Sequence, residues 1–285
     1  MGLLIASAEG IHEVGGGHHL AGQHVNHVAR SGDEWWAVDD DGVWERPTRV
    51  STAPAGTGFS CVQPAPDGAW IGADSARLFR FQDGELTEDE FFAEAPGRAA
   101  WHTPWGGPPG VRSLSFGPDG VLYINVHVGG ILRYDNTGLA ATVDIDADVH
   151  QVAAHPDIGG TVVAATAWGL AQSSNGHDFE FRTDGLATTY CRAVTVFDDT
   201  ILLSSSDGPR GGRSRLYRAA LGGGPFQVCE IGLPDVFDGN LDTHCLAASS
   251  DGLFAANAGT VWRSWDQGES WEVVASDLPQ VTALA

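Results

Sequence analysis

One pattern recurs along the chain: a short apolar strand, a turn of the Pro-Asp-Gly kind, and a second apolar strand that ends in small residues. Clear copies read SCVQPAPDGAWIGADSARLF, RSLSFGPDGVLYINVHVGGIL and HCLAASSDGLFAANAGTVW. The apolar anchors of the first strands are Val28, Val62, Leu114, Val152, Val194, Leu246 and Leu284. Successive anchors lie 34, 52, 38, 42, 52 and 38 residues apart. This spacing is typical of β-propellers, whose four-stranded blades take about 40–50 residues each.

The seventh copy is divided between the two ends of the chain. Its anchor lies in VTALA, residues 281–285, and no turn or second strand follows. The N-terminal segments LLIASAEG and GIHEV supply the missing second and third strands. We therefore predict one all-β domain over residues 1–285, a seven-bladed propeller whose closing blade joins both termini and leaves no open edge. The innermost strands are predicted near residues 25–30, 59–64, 111–116, 149–154, 191–196, 243–248 and 281–285.

Composition and charge indicate which partners and which cellular compartment are expected. The 38 glycines and 14 prolines favour many turns, and a net charge of −22 argues against nucleic acid or an anionic membrane as partner. No apolar run approaches the ~20 residues of a membrane span, and MGLLIASAEG lacks the basic start of a signal peptide. The cysteines lack CxxC spacing and predict free thiols in a reducing compartment; they are Cys61, Cys191, Cys229 and Cys245. We expect a cytoplasmic protein.

The segment SWDQGESW, residues 264–271, has the form Ser-x-Asp-x-Gly-x-x-Trp and falls between the third and fourth strands of the sixth blade; SSNGHDF, residues 173–179, is a shorter copy at the same point of the fourth blade. The motif resembles the Asp box, or BNR repeat, of the WD40/YVTN/BNR-like propellers, found in sialidases, sortilin-type receptors and photosystem-assembly factors. The resemblance implies a folding device on the outer rim. In that device Asp266 would cap backbone amides, Gly268 would take a positive φ and Trp271 would pack inward.

The residues two positions before each anchor form a ring at the top face, where the innermost strands begin. They are Asn26, Ser60, Arg112, His150, Arg192, His244 and Thr282. Two arginines and two histidines among seven positions predict a ligand site at the mouth of the channel. The alternative is that polar side chains at strand starts only bond neighbouring backbone groups.

Top-face loops add further candidates. The loops between second and third strands bring His127 and Trp168 to this face. One of the two longest connections, APGRAAWHTPWGGPPG, carries Trp101, His102 and Trp105. Long loops with aromatic residues on a rigid scaffold are where binding residues concentrate. The predicted substrate-binding residues are therefore Arg112, Arg192, Trp101, His102, Trp105 and Trp168.

Three chemistries suit these residues. Arg112 and Arg192 could clamp a carboxylate or phosphate bidentately, or else be ion-paired with acidic residues. His127, His150 and His244 could converge on a divalent metal ion, for which zinc–imidazole bonds of ~2.0–2.1 Å set the scale. Alternatively, one of these three histidines is a catalytic acid or base beside a carboxylate held by the arginines.

These features predict an enzyme that acts on a small anionic molecule at the top of the channel, of lyase, lactonase or hydrolase type, with or without a divalent metal. The alternative is a non-catalytic scaffold that binds a protein or peptide. Sialidase activity is disfavoured, because the enzymes that the Asp box resembles use six blades and three arginines around the sugar carboxylate. This chain has seven units and two ring arginines.

Overall fold

The computed structural model describes residues 2–103 and 106–285 and contains seven four-stranded antiparallel sheets. Each sheet packs against the next through its innermost strand, and the last returns to the first, so the sheets form a ring. The prediction of a seven-bladed, all-β propeller is confirmed. We number the blades 1 to 7 in the order of their innermost strands, so that blade 7 contains both termini.

Blades 1 to 3 follow the chain without interruption. Blade 1 contains β4 (His27–Ser31), β5 (Glu34–Val38), β6 (Gly42–Glu45) and β7 (Thr48–Thr52). Blade 2 contains β8 (Phe59–Ala65), β9 (Gly68–Ala73), β10 (Arg77–Gln82) and β11 (Glu85–Glu88). Blade 3 contains β12 (Val111–Phe116), β13 (Leu122–Val126), β14 (Gly130–Asp135) and β15 (Gly138–Ala141).

Blades 4 to 6 repeat the same order, and blade 7 closes the ring. Blade 4 contains β16 (Val149–Ala154), β17 (Val162–Thr166), β18 (Gly169–Ser173) and β19 (Glu180–Arg182). Blade 5 contains β20 (Val194–Phe197), β21 (Thr200–Ser205), β22 (Arg215–Ala220) and β23 (Gly223–Val228). Blade 6 contains β24 (Leu246–Ser249), β25 (Gly252–Asn257), β26 (Thr260–Ser264) and β27 (Glu272–Ala275). Blade 7 contains β28 (Val281–Leu284), β1 (Leu4–Ser7), β2 (Gly10–Glu13) and β3 (His18–His19).

Helical structure is limited to the connections between blades. The α-helix α1 (Glu90–Ala93) begins at Asp89, whose side chain accepts a hydrogen bond from the Phe92 amide at 2.7 Å. Two 3₁₀ turns, Arg98–Ala100 and Ile145–Ala147, precede β12 and β16. Within residues 2–103 and 106–285, no helix is long and apolar enough to cross a membrane.

The hydrophobic core is divided among the interfaces between blades. Seven clusters of buried apolar side chains occur in the described residues, one at each junction of neighbouring blades, including the junction of blades 7 and 1. The four cysteines are buried and free, and burial raises the pKa of each thiol to about 12. They therefore act as small apolar core groups.

The innermost strand of each blade is an edge strand of its own sheet. Side chains of the preceding blade cover part of that edge. The amide of the anchor residue of blades 2, 4 and 5 donates a hydrogen bond to a side chain of the preceding blade. The pairs are Val62 to His27 Nδ1 at 3.1 Å, Val152 to Ser113 Oγ at 2.9 Å and Val194 to Gln151 Oε1 at 3.3 Å. These bonds fix the rotation of each blade against its neighbour and satisfy amides that would otherwise be unpaired.

The turn at residues 264–271 joins β26 to β27, at the outer part of blade 6. One carboxylate oxygen of Asp266 accepts hydrogen bonds from the Ser264 hydroxyl and the Ser270 amide, both at 2.8 Å. Gly268 has a φ of +85°, and Trp271 is buried against blade 5. The turn thus has the geometry that the Asp-box resemblance implies and lies away from the channel. Membership of that family stays a prediction.

Candidate functional site

Four of the seven ring side chains join one blade to the next. Each donates a hydrogen bond to the backbone carbonyl of the residue that immediately precedes the next ring position. The pairs are Asn26 to Phe59, Ser60 to Val111, His150 to Cys191 and Thr282 to Val25. For Asn26, Ser60 and Thr282 this bond accounts for the polar residue structurally. Arg112, Arg192 and His244 depart from the pattern.

Arg112 is the second residue of β12, and its guanidinium group has no partner among the residues that the structure describes. No hydrogen bond or ion pair links this group to any residue in the described part of the chain, although 37 acidic residues are present. Burial, followed by the nearby charge of Arg192, lowers the pKa of Arg112, while Asp242, Tyr190 and Asp148 act in the opposite direction. An unpaired cation in a half-buried position is costly unless a ligand compensates it.

Arg192 is held by a carboxylate of the long loop that precedes β24. Its Nη2 lies 2.6 Å from Oδ1 of Asp242, and the Arg192 side chain is 17% exposed while that of Asp242 is 54% exposed. The buried Nε of Arg192 has no hydrogen-bond partner among the described residues. Asp242 therefore covers one edge of the Arg192 guanidinium from the solvent side. Other N–H donors of the guanidinium, including Nε, are not used by this ion pair.

His127, Asp148 and His150 form a compact group beside Arg112. His127 follows β13, Asp148 follows the 3₁₀ turn of blade 3, and His150 lies at the start of β16. His127 Nε2 lies 3.2 Å from Oδ1 of Asp148, and His150 Nε2 lies 3.4 Å from its Oδ2. The two histidines are buried and the aspartate is partly exposed, so the group faces the top of the channel.

The hydrogen bond of His150 determines its tautomer. Its Nδ1 lies 2.7 Å from the carbonyl oxygen of Cys191, which can only accept, so Nδ1 carries a proton. The opposite nitrogen, Nε2, is fully buried, faces Asp148 and has no hydrogen-bond partner among the described residues. The ring of Tyr190 packs on the His150 ring at 4.7 Å, and burial raises the pKa of the tyrosine.

The protonation states of this group follow from its surroundings. Burial raises the pKa of Asp148, but the two imidazoles outweigh this effect and bring the pKa well below its ordinary value, so the group is a carboxylate. Burial lowers the pKa of His127, and the charge of Arg112 lowers it further, against the opposing effect of Asp148. At neutral pH His127 is therefore a neutral imidazole.

His244 does not join this group. It has a φ of +68°, its Nε2 donates to the Arg112 carbonyl at 2.9 Å, and its ring contacts His27 with centroids 3.9 Å apart. Both rings line a cavity of about 570 Å³ that is bounded by all seven innermost strands below the ring. His244 thus lies between the charged group at the top and the cavity beneath it, and it is not one of the clustered potential metal ligands.

The two channel histidines should make stability depend on pH. Burial lowers the pKa of His244 to about 4; the hydrogen bond to the Arg112 carbonyl and the charge of Asp242 oppose this shift, and the charge of Arg112 adds to it. Burial and His244 lower the pKa of His27 well below its ordinary value. Unfolded histidines titrate near 6.5, so stability is fully present above that pH and is lost as pH falls towards 4. Each proton contributes a slope of up to about 1.4 kcal/mol per pH unit.

We expect His244→Gln to reduce this slope, measured as the free energy of unfolding in urea between about pH 7 and pH 4. Glutamine can keep the donor to the Arg112 carbonyl but does not titrate. His24→Gln is the matched control, because His24 is exposed. An unchanged slope in His244→Gln would show that this histidine does not remain neutral on folding.

The loop residues predicted to bind substrate differ in burial and in contacts. Trp101 is buried between blades 2 and 3, with its ring 5.8 Å from that of Phe92. His102 is exposed, and its Nδ1 contacts the Ala100 carbonyl at 3.0 Å. Trp168 is 45% exposed and packs on Phe181 of the outermost strand of blade 4. Trp105 lies outside the described residues.

Sequence reasoning placed Arg112, His127, His150 and Arg192 at this mouth but did not identify Asp148. The segment DIDADVH contains three aspartates, and in so acidic a chain they resemble a solvated turn. The available signal is position: Asp148 lies two residues before the ring histidine. With a φ of +49° it turns its carboxylate towards that ring instead of continuing the strand.

Comparisons with known proteins show the fold alone. No protein-family model and no curated protein matches the chain. A streptogramin B lyase structure superposes with a TM-score of 0.62 at 11% identity, covering 87% of this chain and 82% of that one. A catalytically inactive virginiamycin B lyase from Staphylococcus aureus with quinupristin gives 0.58 at 13%, covering 87% and 83%. The GH74 enzyme of Niastella koreensis gives 0.62 at 13%, covering 96% of this chain and 47% of that one.

Proposed function

We propose that this propeller is an enzyme that acts on a small molecule with a carboxylate or phosphate group, bound at the top of the central channel. The observation that carries the proposal is Arg112, a half-buried arginine without a hydrogen bond or ion pair to any described residue, beside a second arginine. The fold is compatible with this function, since lyases and a GH74 enzyme are among its structural neighbours.

Arg112 and Arg192, which depart from the bonding pattern of the other ring residues, support an anion site. Ring residues such as Asn26 and Thr282 bond the backbone of the next blade, whereas the Arg112 side chain makes no such bond to a described residue and Arg192 pairs with the half-exposed Asp242. A guanidinium matches the two oxygens of a carboxylate or phosphate, and two of them together would bind such a group strongly in a partly desolvated site. The net charge of −22 makes this local positive charge selective for small anions over nucleic acid.

The histidines and the aspartate beside the arginines suit proton transfer. His127 would be a general base, since it is neutral and faces the carboxylate of Asp148. Tyr190, which packs on His150, is a second candidate for proton transfer. A base next to an arginine-held carboxylate could remove an α-proton, as in a lyase, or activate water, as in a lactonase or hydrolase. The rim turn at residues 264–271 would act as an Asp box, in folding only.

We also propose a cytoplasmic location, which the four buried free thiols support. The activity is tested by incubating the purified protein with panels of small lactones, hydroxycarboxylates and phosphate esters. Lactone opening releases a proton, elimination creates a conjugated double bond visible in the ultraviolet, and ester hydrolysis releases phosphate. Binding of citrate or phosphate without turnover across these panels, together with capture of a peptide at the same face, would favour the binding scaffold instead.

Asp242→Asn should increase affinity for small anions. The carboxylate of Asp242 occupies Arg192 and must be displaced by a ligand anion. Because the aspartate is more than half exposed, its ion pair is worth about 0.5–1.5 kcal/mol, which corresponds to roughly a 2- to 12-fold gain in citrate affinity. Isothermal titration calorimetry at low salt measures this gain.

Asp207→Asn is the matched control for that experiment. Asp207 pairs with Arg213 on an exposed top-face loop, so its substitution changes the net charge equally without freeing Arg192. A gain in the control equal to that in Asp242→Asn would indicate a general charge effect. Weaker citrate binding by Asp242→Asn would contradict the proposed displacement.

A further inference from the structure

We infer that His127, Asp148 and His150 bind a divalent transition-metal ion at the top of the channel. The inference extends the proposed function by assigning it a cofactor class, and it replaces the all-histidine ligand set predicted from sequence with two histidines and one aspartate. With the metal bound, His127 would be a ligand instead of the general base, and Tyr190 would be the remaining candidate for proton transfer. It rests on the proposed function for its biological purpose, but its test requires no substrate.

The first argument is the orientation of the His150 lone pair. Since Nδ1 donates to the Cys191 carbonyl, Nε2 is the ring nitrogen that can face a ligand. That atom is fully buried, lies 3.4 Å from a carboxylate oxygen of Asp148 and has no hydrogen-bond partner among the described residues. A bound metal ion would satisfy a buried nitrogen and a carboxylate oxygen that face each other without a hydrogen bond. The other carboxylate oxygen, Oδ1, is also buried and lies 3.2 Å from Nε2 of His127.

The second argument is the convergence of three ligand atoms. One nitrogen of each histidine and one oxygen of the aspartate all lie within 4.8 Å of one another. Ligand atoms around one ion at ~2.0–2.2 Å are about 3–4 Å apart, so small side-chain rotations bring all three to bonding distance. The backbone bond of His150 would also fix the ring orientation, as an outer-shell partner does for metal-bound histidine.

The donor set and its environment indicate the class of metal. Two imidazoles and one carboxylate favour Zn²⁺, Mn²⁺ or Fe²⁺ over Mg²⁺ and Ca²⁺, which prefer oxygen ligands. Three protein ligands leave positions for water or substrate, as in catalytic sites. The His127 amide donates to the Gly110 carbonyl at 2.9 Å, which places His127 beside the start of the strand that carries Arg112, so one anionic substrate group could contact the metal and the arginine together.

The test is metal stoichiometry in the intact chain. The protein is treated with a chelator, dialysed, incubated with micromolar Zn²⁺ and freed of unbound metal before elemental analysis. We expect about one Zn²⁺ per chain, a higher melting temperature with Zn²⁺, and visible absorption from bound Co²⁺. Asp148→Asn and His150→Asn should each lower Zn²⁺ affinity at least 10-fold. Asparagine at position 150 can keep the donor to Cys191, so this variant removes Nε2 with little effect on blade contact.

Metal stoichiometry is also measured in two control variants. His102→Ala and His244→Gln should retain full stoichiometry, because neither imidazole belongs to the group. A folded wild-type chain that binds no Zn²⁺, Mn²⁺ or Co²⁺ would overturn the inference. Equal binding by His150→Asn would overturn it as well. Neither result would affect anion binding by the arginines, so the two proposals can fail separately.

Discussion

Deletion of residues 281–285 should abolish cooperative unfolding and leave a chain that does not close its ring. Strand β28 is the innermost strand of blade 7, and it pairs with β1 through Leu284 to Ile5 and Ala283 to Ala6. Backbone bonds between Leu4 and Ala285, at 2.8 and 3.0 Å, extend this ladder. Without β28, blade 7 retains only strands from the N-terminus.

The expected size of the effect follows from what the segment buries. Val281 and Leu284 are at most 5% exposed, and burying such side chains contributes about 1.5–3 kcal/mol each. The lost backbone bonds add about 0.5–1.5 kcal/mol apiece. Together these terms approach a large part of the roughly 5–15 kcal/mol that stabilises a typical domain. The deletion also exposes the edge of β1, which promotes aggregation.

Differential scanning calorimetry and near-ultraviolet circular dichroism of the truncated chain measure this prediction. A synthetic peptide of residues 276–285, added in excess, should restore part of the transition by supplying β28 in trans. A scrambled peptide of the same composition is the control. A truncated chain that melts at the wild-type temperature with unchanged enthalpy would show that closure does not depend on this strand.

The fold could be predicted because its determinants are local and repeated. The Pro-Asp-Gly turn and the small residues after it recur at blade spacing, and a terminal anchor without a second strand predicts the shared blade. The predicted and observed innermost strands coincide at 111–116 and 149–154, and in blades 5 and 6 the observed strands begin three residues later. There the chain enters through irregular segments, whose backbone is not determined by hydrophobic alternation.

The site could be predicted in position but not in detail. The repeat places Arg112, His150 and Arg192 at equivalent strand starts, and ring geometry brings them to one mouth. Side-chain direction depends on backbone conformation and on partners distant in sequence. His244 turns down the channel to the Arg112 carbonyl, 132 positions away. Whether an arginine is paired, as Arg192 is, or unpaired, as Arg112 is, depends on loops without a repeat pattern.

The ring side chains differ in whether they bond the next blade, and this difference separates structural residues from candidate ligand-binding residues. A polar residue at a strand start is accounted for structurally when its side chain bonds the next blade, as Asn26 and Thr282 do. His150 does so with one ring nitrogen and keeps the other directed at Asp148. Arg112 does not do so at all. The ring positions that blade closure leaves unused are therefore the ones that a ligand can use.

The double variant Arg112→Gln/Arg192→Gln should lose at least 100-fold in affinity for citrate or inorganic phosphate. A hydrogen bond to a charged group contributes about 1.5–3 kcal/mol, so loss of two guanidinium groups removes roughly 3–6 kcal/mol if the effects add. Each single variant should lose about 10-fold or more. Calorimetry at two salt concentrations measures the affinities, and binding to the wild type should weaken at the higher one.

Arg213→Gln is the matched control, since Arg213 is an exposed top-face arginine paired with Asp207. Arg213→Gln changes the net charge by the same amount as each single variant, and it should alter the affinity for citrate less than about 2-fold. The free energy of unfolding is a second measurement: Arg112→Gln should increase it while it decreases the affinity for anions. Burial and the charge of Arg192 disfavour the charge on Arg112 by more than Asp242, Tyr190 and Asp148 favour it, so Arg112→Gln should raise the free energy of unfolding. A residue that served only the structure would lose stability on substitution. Reduced stability with unchanged anion affinity in Arg112→Gln would therefore assign this arginine to the scaffold and remove the basis of the proposed site.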